Sequence, residues 1–210
     1  MADNTKQWNY INFIKNGFEI LFLDRDDVFV AGDLLWYAEE GNPKARVAPD
    51  TLIAFGRPKG YRGSYKQWEE DGIAPQVVFE VLSPGNTRAE MGRKLLFYDH
   101  HGVEEYYEYD PGTGDFVIWA REPGGELLPV NDVESWVSPR TGVRFKIEDT
   151  DLVILQPDGH RFLSAAEHAS RADAETARAD AEAVRADAEA ARAARLAAML
   201  HKAGIDPVKV

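Results

Sequence analysis

Apolar residues recur along this chain with two different spacings. In residues 9–23 they occupy positions 10, 14, 18, 21 and 22, which predicts an amphipathic helix. Later apolar runs predict strands near 28–37, 50–56, 77–82, 103–109, 116–119, 143–148 and 152–156, with another short strand resuming near Val47. A second helix is predicted from Thr87 to about His101, because Thr87–Glu90 is a Ser/Thr-x-x-Glu helix start and Gly102 follows. The pattern predicts an α/β fold in which a mixed β-sheet core is flanked by helices.

The last part of the chain has a different pattern. From Arg171 onward, segments that begin Arg-Ala-Asp-Ala-Glu repeat every seven residues, and alanine is the best helix former. We expect a long Ala/Arg/Glu-rich helix from about 164 to 203, ending near Gly204 and Pro207. The predicted domains are therefore 1–163 and 164–210. The seven-residue period favours a coiled coil and a homodimer, but an alanine seam buries little apolar area, so a solvated single helix is the alternative.

Charge and composition exclude several classes of protein and of metal site. The 210 residues carry a formal net charge of -12, and eight of the 36 acidic and seven of the 24 basic residues follow position 164. Nearly all of the acidic excess thus belongs to residues 1–164 and disfavours a protein that coats nucleic acid. The chain has no cysteine, no signal-peptide pattern and no apolar run of membrane-spanning length. We therefore expect a cytoplasmic protein without disulfides or thiolate metal sites.

Two carboxylates stand in apolar surroundings. Asp50 heads the run Leu52–Phe55, and Glu80 is the one charged residue between Val77 and Leu82. A charge in a buried strand is costly unless it is paired or holds a metal. The pair predicts a hard-cation site with oxygen ligands, for which Mg²⁺ or Mn²⁺ is suited. The alternatives are an exposed Asp50 at a strand start and a Glu80 paired with a basic side chain.

Basic residues near these acids are the next candidates. Lys94 lies on the helix that follows the Glu80 strand, so its amine can approach the same sheet edge; a surface pair with Glu90 is its alternative. The loop between the two acidic strands alternates basic and aromatic residues, a pattern of nucleic-acid contact loops, and the candidates are Arg57, Lys59, Arg62 and Lys66. An ordinary solvated loop is the alternative. We expect no histidine metal site, because a regular helix would point the adjacent His100 and His101 in different directions.

Four motifs in order resemble a known family. They are Pro49-Asp50, Val78-Phe79-Glu80-Val81-Leu82-Ser83-Pro84, Arg93-Lys94-Leu95-x-x-Tyr98, and Gly102–Tyr107 with Asp110-Pro111. Over about residues 10–155 the chain resembles the Uma-type restriction endonucleases, long catalogued as a domain of unknown function, of the PD-(D/E)XK nuclease superfamily. The resemblance implies a restriction-endonuclease-like fold and metal binding by Asp50 and Glu80. The superfamily pattern places a lysine two residues after the acid, where this chain has Leu82, so Lys94 would serve from the helix.

These observations predict a metal-dependent DNA endonuclease with Asp50, Glu80 and Lys94 as its catalytic residues. The cation would lower the pKa of an attacking water, and Lys94 would position that water or stabilise developing charge. The alternative is a catalytically impaired nuclease-fold module for DNA binding or protein assembly. A purely structural ion-pair network also remains open.

Overall fold

Helices and a central mixed sheet form the first part of the chain in this computed structural model, which describes residues 4–203. The helices are α1 (Thr5–Leu21), α2 (Arg88–His100) and α3 (Ala165–Lys202). The strands are β1 (Val28–Gly32), β2 (Trp36–Tyr37), β3 (Arg46–Val47), β4 (Thr51–Phe55), β5 (Tyr65–Lys66), β6 (Val77–Val81), β7 (Glu105–Tyr109), β8 (Phe116–Arg121), β9 (Leu127–Pro129), β10 (Arg144–Glu148) and β11 (Asp151–Leu155). The predicted α/β class with a mixed sheet and a long C-terminal helix is confirmed.

The central sheet has the strand order β1-β4-β6-β7-β8-β9. Its neighbours are antiparallel except β6 and β7, which are parallel and are connected through α2. Two smaller sheets have the orders β3-β2-β5 and β10-β11. A parallel pair needs a crossover connection, and the α2 crossover brings that helix against one face of the sheet.

Each face of the central sheet has its own hydrophobic core. On one face, Phe18 and other residues of α1 pack with Phe79 and with Phe145 of the β10-β11 hairpin. On the other face, Tyr98 of α2 packs with Trp36 and other residues from the small sheet. Residues of β6 alternate between the two cores, because successive strand side chains point to opposite faces.

The observed elements differ from the sequence prediction at one helix start, in one divided strand and in two additional strands. Helix α1 begins at Thr5, four residues early, because the Asn4 side chain caps it by accepting from the Gln7 amide at 2.9 Å. The strand predicted over 28–37 is divided into β1 and β2, since Asp33 adopts a φ of 49° that interrupts extended backbone. Strands β5 and β9 were not predicted, because runs of two or three residues are too short to show a period.

The chain divides into two compact units, residues 1–162 and residues 163–210. In the second unit, Ser164 and Glu167 form a capping box at the start of α3. No residue of α3 between Ala165 and Lys202 is buried. The predicted helix end near Gly204 and Pro207 lies outside the described residues. Among residues 4–203, no helix combines the length and apolar character that a membrane crossing requires.

Candidate metal centre

The register of β4 and β6 brings Asp50 and Glu80 together. In this antiparallel pair Thr51 lies opposite Phe79, so the same register continued by one residue places Asp50 opposite Glu80. Both side chains then point to the α2 face, since alternate strand residues share a face. The two carboxyl groups are close enough for each to perturb the pKa of the other. Two acids thirty positions apart in the chain are therefore neighbours on one side of the sheet.

A hydrogen bond to the last residue of β6 fixes the Asp50 side chain. Its Oδ2 accepts a hydrogen bond from the Val81 amide at 2.7 Å. The Val81 carbonyl accepts from the Nε2 of Gln7, a buried side chain of α1, also at 2.7 Å. The peptide groups on both sides of Val81 are thus hydrogen-bonded to side chains, one to Asp50 just before β4 and the other to Gln7 of α1. These bonds order the backbone that carries Glu80.

Glu80 is only 2% exposed and is held by two side chains of α2. Its Oε2 accepts from the Lys94 ammonium at 2.8 Å, and its Oε1 accepts from the Tyr98 hydroxyl. Lys94 and Tyr98 are four residues apart, so they lie on the same face of the helix. The helix starts shortly after β6, where the Thr87 hydroxyl accepts from the Glu90 amide. The structure therefore brings together all three of Asp50, Glu80 and Lys94.

Burial dominates the electrostatics of the two acids. It raises the pKa of Glu80 to about 8, with the nearby Asp50 carboxylate adding to the rise and Lys94 opposing it. Burial also raises the pKa of Asp50, against the Val81 hydrogen bond and Lys94. Burial by itself would lower the pKa of Lys94, but Glu80, Asp50 and Glu90 outweigh it and raise that pKa. Lys94 is therefore an ammonium group at neutral pH.

The donor set fits a hard divalent cation. Among residues 4–203, Lys94 is the cation that acts on both Asp50 and Glu80, so within that range ionising both acids leaves one negative charge uncompensated in a largely buried place. A divalent cation would supply the missing positive charge, and carboxylate oxygens are ligands that Mg²⁺ and Mn²⁺ prefer. Two carboxylates leave further coordination positions for water or substrate oxygens.

Another buried acid of the sheet shows what a structural carboxylate looks like here. Glu105 is also 2% exposed, but its hydrogen bonds within residues 4–203 come from neutral donors. These are the Tyr107 hydroxyl at 2.7 Å, the Ser138 hydroxyl at 2.6 Å and the Arg140 amide at 2.7 Å. The juxtaposition of two acids distinguishes the Asp50–Glu80 site from this structural position.

The four basic residues predicted to contact nucleic acid pair with groups of their own domain. The contacts are Arg57 with Asp71 at 2.7 Å, Arg62 with Glu70 at 2.5 Å, Lys66 with Glu69 at 2.9 Å, and Lys59 with the Phe22 carbonyl oxygen at 2.8 Å. Arg62 also lies 3.9 Å from the centre of the Phe29 ring. Nearby acids thus offset much of the loop's positive charge. Nucleic-acid contact by this loop stays a prediction, which these pairs weaken.

Sequence reasoning missed two side chains that hold the site. Tyr98 follows Lys94 by one helical turn, and that spacing could have indicated its contact with Glu80. Gln7 reaches Val81 from a helix turn that was predicted to be outside α1, so no sequence signal indicated it.

Comparisons with known proteins agree with the predicted family resemblance. Residues 10–151 match the family model described as "Uma2: Putative restriction endonuclease". No curated protein matches the chain. One similar solved structure is the crystal structure of a "putative nuclease belonging to DUF820" from Anabaena variabilis, 14% identical, with a TM-score of 0.48. The alignment covers 66% of this chain and 74% of that one, and at this level the likeness carries no functional weight.

Proposed function

The chain belongs to the Uma2 family, and from this premise we propose that it is a metal-dependent DNA endonuclease acting at the Asp50–Glu80–Lys94 site. The observation that carries the proposal is the meeting of two carboxyl groups and one ammonium group on a single face of the sheet. The family description supports nuclease chemistry, and the donor set supports a hard cation.

The proposed reaction is hydrolysis of a phosphodiester bond. A water oxygen forms a new bond to phosphorus while the bond from phosphorus to the leaving oxygen breaks. The attacking water gives up a proton to solvent, and the leaving oxygen takes up a proton from solvent and departs as a hydroxyl. A bound Mg²⁺ or Mn²⁺ would polarise the phosphate and lower the pKa of the attacking water. Asp50 and Glu80 would hold the cation through their carboxylate oxygens.

The proposed role of Lys94 is electrostatic. Because neighbouring acids raise its pKa, it keeps its proton at neutral pH and is unsuited to be a general base. Its ammonium group is instead suited to stabilising the negative charge that develops on the phosphate oxygens. The position two residues after Glu80 holds Leu82, so the ammonium comes from α2 and not from β6.

Tyr98 and Gln7 are positioning residues. Burial and the neighbouring Glu80 raise the pKa of Tyr98 well above its usual value, so its hydroxyl stays protonated and donates to the carboxylate. Gln7 fixes the Val81 carbonyl from the opposite side of the sheet. Together they restrict the orientation of Glu80, which preorganises the site.

The direct test is cleavage of supercoiled plasmid DNA by purified protein with Mg²⁺ or Mn²⁺. We expect nicking by the wild type and a loss of at least about 100-fold in Asp50→Asn and Glu80→Gln, which preserve shape and remove charge. Asp27→Asn, at an exposed acid paired with Arg25, is the matched control and keeps wild-type activity. Equal nicking by all four proteins would identify a contaminating nuclease and end the proposal.

A catalytically impaired nuclease-fold module is the second candidate. The internal pairing of the basic loop and the net charge of -12 favour it, since both weaken attraction to DNA. A wild-type protein that binds Mn²⁺ but leaves plasmid, linear and single-stranded DNA intact would support this candidate over the endonuclease.

A further inference from the structure

A second group of metal-ligating side chains lies outside the site described above. One ligand atom from each of Glu39, His100 and His101 lies within 4.8 Å of the others, and this is the one such group of three among the described residues. The expectation that the two histidines diverge was therefore wrong. His101 caps α2 with φ -96° and ψ 9°, outside regular helical geometry, and its ring centre lies 4.8 Å from that of His100.

Two members of the group are held by their surroundings. The second oxygen of Glu39 accepts from the Asn42 side-chain amide at 2.8 Å, across a turn in which Gly41 has a φ of 75°. The His101 ring packs 4.3 Å from the Phe97 ring, and its side chain is 11% exposed. Supporting contacts of this kind orient metal ligands in proteins.

The spacing of two of the ligand atoms is close to that of neighbouring metal ligands. Glu39 Oε1 and His101 Nε2 are 3.8 Å apart, too far for a hydrogen bond. Two ligands of a tetrahedral Zn²⁺ ion stand roughly 3.4 Å apart, as metal–ligand distances of about 2.1 Å require. The group also lies at the C-terminal end of α2, where the helix dipole favours a cation.

We propose that Glu39, His100 and His101 form a site for a divalent transition-metal cation, with Zn²⁺ as the best-suited ion. Two imidazoles and one carboxylate are a common Zn²⁺ ligand set with a fourth position open to water. The ligand chemistry differs from that of Asp50 and Glu80, which offer oxygen only and suit Mg²⁺ or Mn²⁺. The inference does not depend on nuclease activity.

The site would join two separate elements. Glu39 lies in the turn after β2, whereas both histidines end α2. Helix α2 also carries Lys94 and Tyr98, the two residues that hold Glu80. A bound ion would therefore restrain the C-terminal end of the helix that completes the Asp50–Glu80 site. We expect Zn²⁺ to raise the thermal unfolding temperature of the protein.

The test is calorimetric titration of the metal-free, untagged full chain with Zn²⁺ in the presence of excess Mg²⁺. We expect one site per chain in the wild type. His100→Gln and Glu39→Gln change exposed side chains and should each weaken Zn²⁺ binding at least about tenfold, and Asn42→Ala should weaken it less. His160→Gln, at a histidine whose side chain is 76% exposed, is the matched control and should bind like the wild type.

Two further measurements distinguish Zn²⁺ binding at this group from binding elsewhere in the protein. The rise in unfolding temperature with Zn²⁺ should be present in the wild type and in His160→Gln and absent from His100→Gln. Asp50→Asn should retain Zn²⁺ binding, which separates this site from the oxygen site. Absence of binding by the wild type, or equal binding by His100→Gln and the wild type, would overturn the proposal.

Discussion

Burial raises the pKa of Glu80 well above the ordinary range of a glutamate. A carboxyl group that is 2% exposed keeps its proton to higher pH than in water, even with an ammonium group 2.8 Å away. The cost is that a neutral acid is a poor cation ligand, so cation binding must release a proton. Metal binding and pH are therefore linked at this position.

The raised pKa of Glu80 predicts how stability changes with pH in the absence of metal. Between its ordinary pKa of 4.5 and about 8, the folded protein holds a proton that the unfolded chain has lost. The free energy of unfolding should therefore fall as pH rises through this window, by up to about 1.4 kcal/mol per pH unit. Urea unfolding in EDTA at about pH 6 and pH 8 should show this fall in the wild type.

Glu80→Gln is the control for that titration. Glutamine keeps the shape and cannot ionise, so the difference in unfolding free energy between wild type and variant isolates Glu80. A wild type that follows the same pH dependence as Glu80→Gln would show that the carboxyl group titrates normally.

A second prediction at the residue scale concerns Lys94, which supplies the ammonium group from α2, and Leu82, which stands where the superfamily pattern has a lysine. Lys94→Met should reduce DNA cleavage by about 10²–10³-fold while Mn²⁺ binding remains, because both carboxylates are intact. Leu82 lines a cavity of about 410 Å³, so there is space for a longer side chain. Adding Leu82→Lys to Lys94→Met should restore part of the activity.

The control for this series is Lys146→Met, at an exposed position of β10. It should cleave DNA like the wild type. Loss of Mn²⁺ binding in Lys94→Met, or unchanged cleavage, would contradict the role assigned to the Lys94 ammonium group.

At the element scale, α1 packs against the Phe162 ring through Gly17, where there is no space for a side chain. A Cβ atom at Gly17 would lie 2.0 Å from Cδ2 of the Phe162 ring, so glycine lets the helix approach that ring. Gly17→Ala should lower the free energy of unfolding by about 1–3 kcal/mol, although alanine is the better helix former by about 1 kcal/mol.

Gly92 of α2 is the matched position. A Cβ atom there has no neighbour within 4 Å, so Gly92→Ala should raise stability by about 0.5–1 kcal/mol through helix propensity alone. Urea unfolding of both variants measures the contrast. Equal effects at the two positions would contradict the packing assigned to Gly17.

Sequence patterns predicted the elements that carry the site residues, but not how those elements pair. The Thr87 cap and the apolar run of β6 predicted where Lys94 and Glu80 lie in the secondary structure. The register that places Asp50 opposite Glu80 is a tertiary pairing, which no local pattern specifies. The approach of Glu39 to His101 across the fold is likewise invisible in the sequence.

At the scale of the whole molecule, α3 is distinct in composition and environment. It spans Ala165–Lys202 and has no buried residue in that range. We predict that a chain ending at Leu163 unfolds within about 2 °C of the full chain, because removing exposed side chains forfeits little apolar burial. Scanning calorimetry measures this, and a large drop in the unfolding temperature would contradict it.

The same two preparations test the predicted coiled coil. Its period was visible in the sequence, but whether an alanine seam holds two chains together depends on an energy that the pattern does not give. Light scattering of the full and shortened chains measures it. A dimer that requires residues 164–210 would support the coiled coil, and a monomer in both cases would exclude it.

The central claim is that Asp50 and Glu80 hold one divalent cation. Titration of the metal-free full chain with Mn²⁺ at about pH 8, followed by electron paramagnetic resonance of the free ion, measures this most directly. The proposed site predicts binding by the wild type and by Asp27→Asn, and at least about tenfold weaker binding by Asp50→Asn and Glu80→Gln. Binding of the same strength in all four proteins, or none in the wild type, would contradict it.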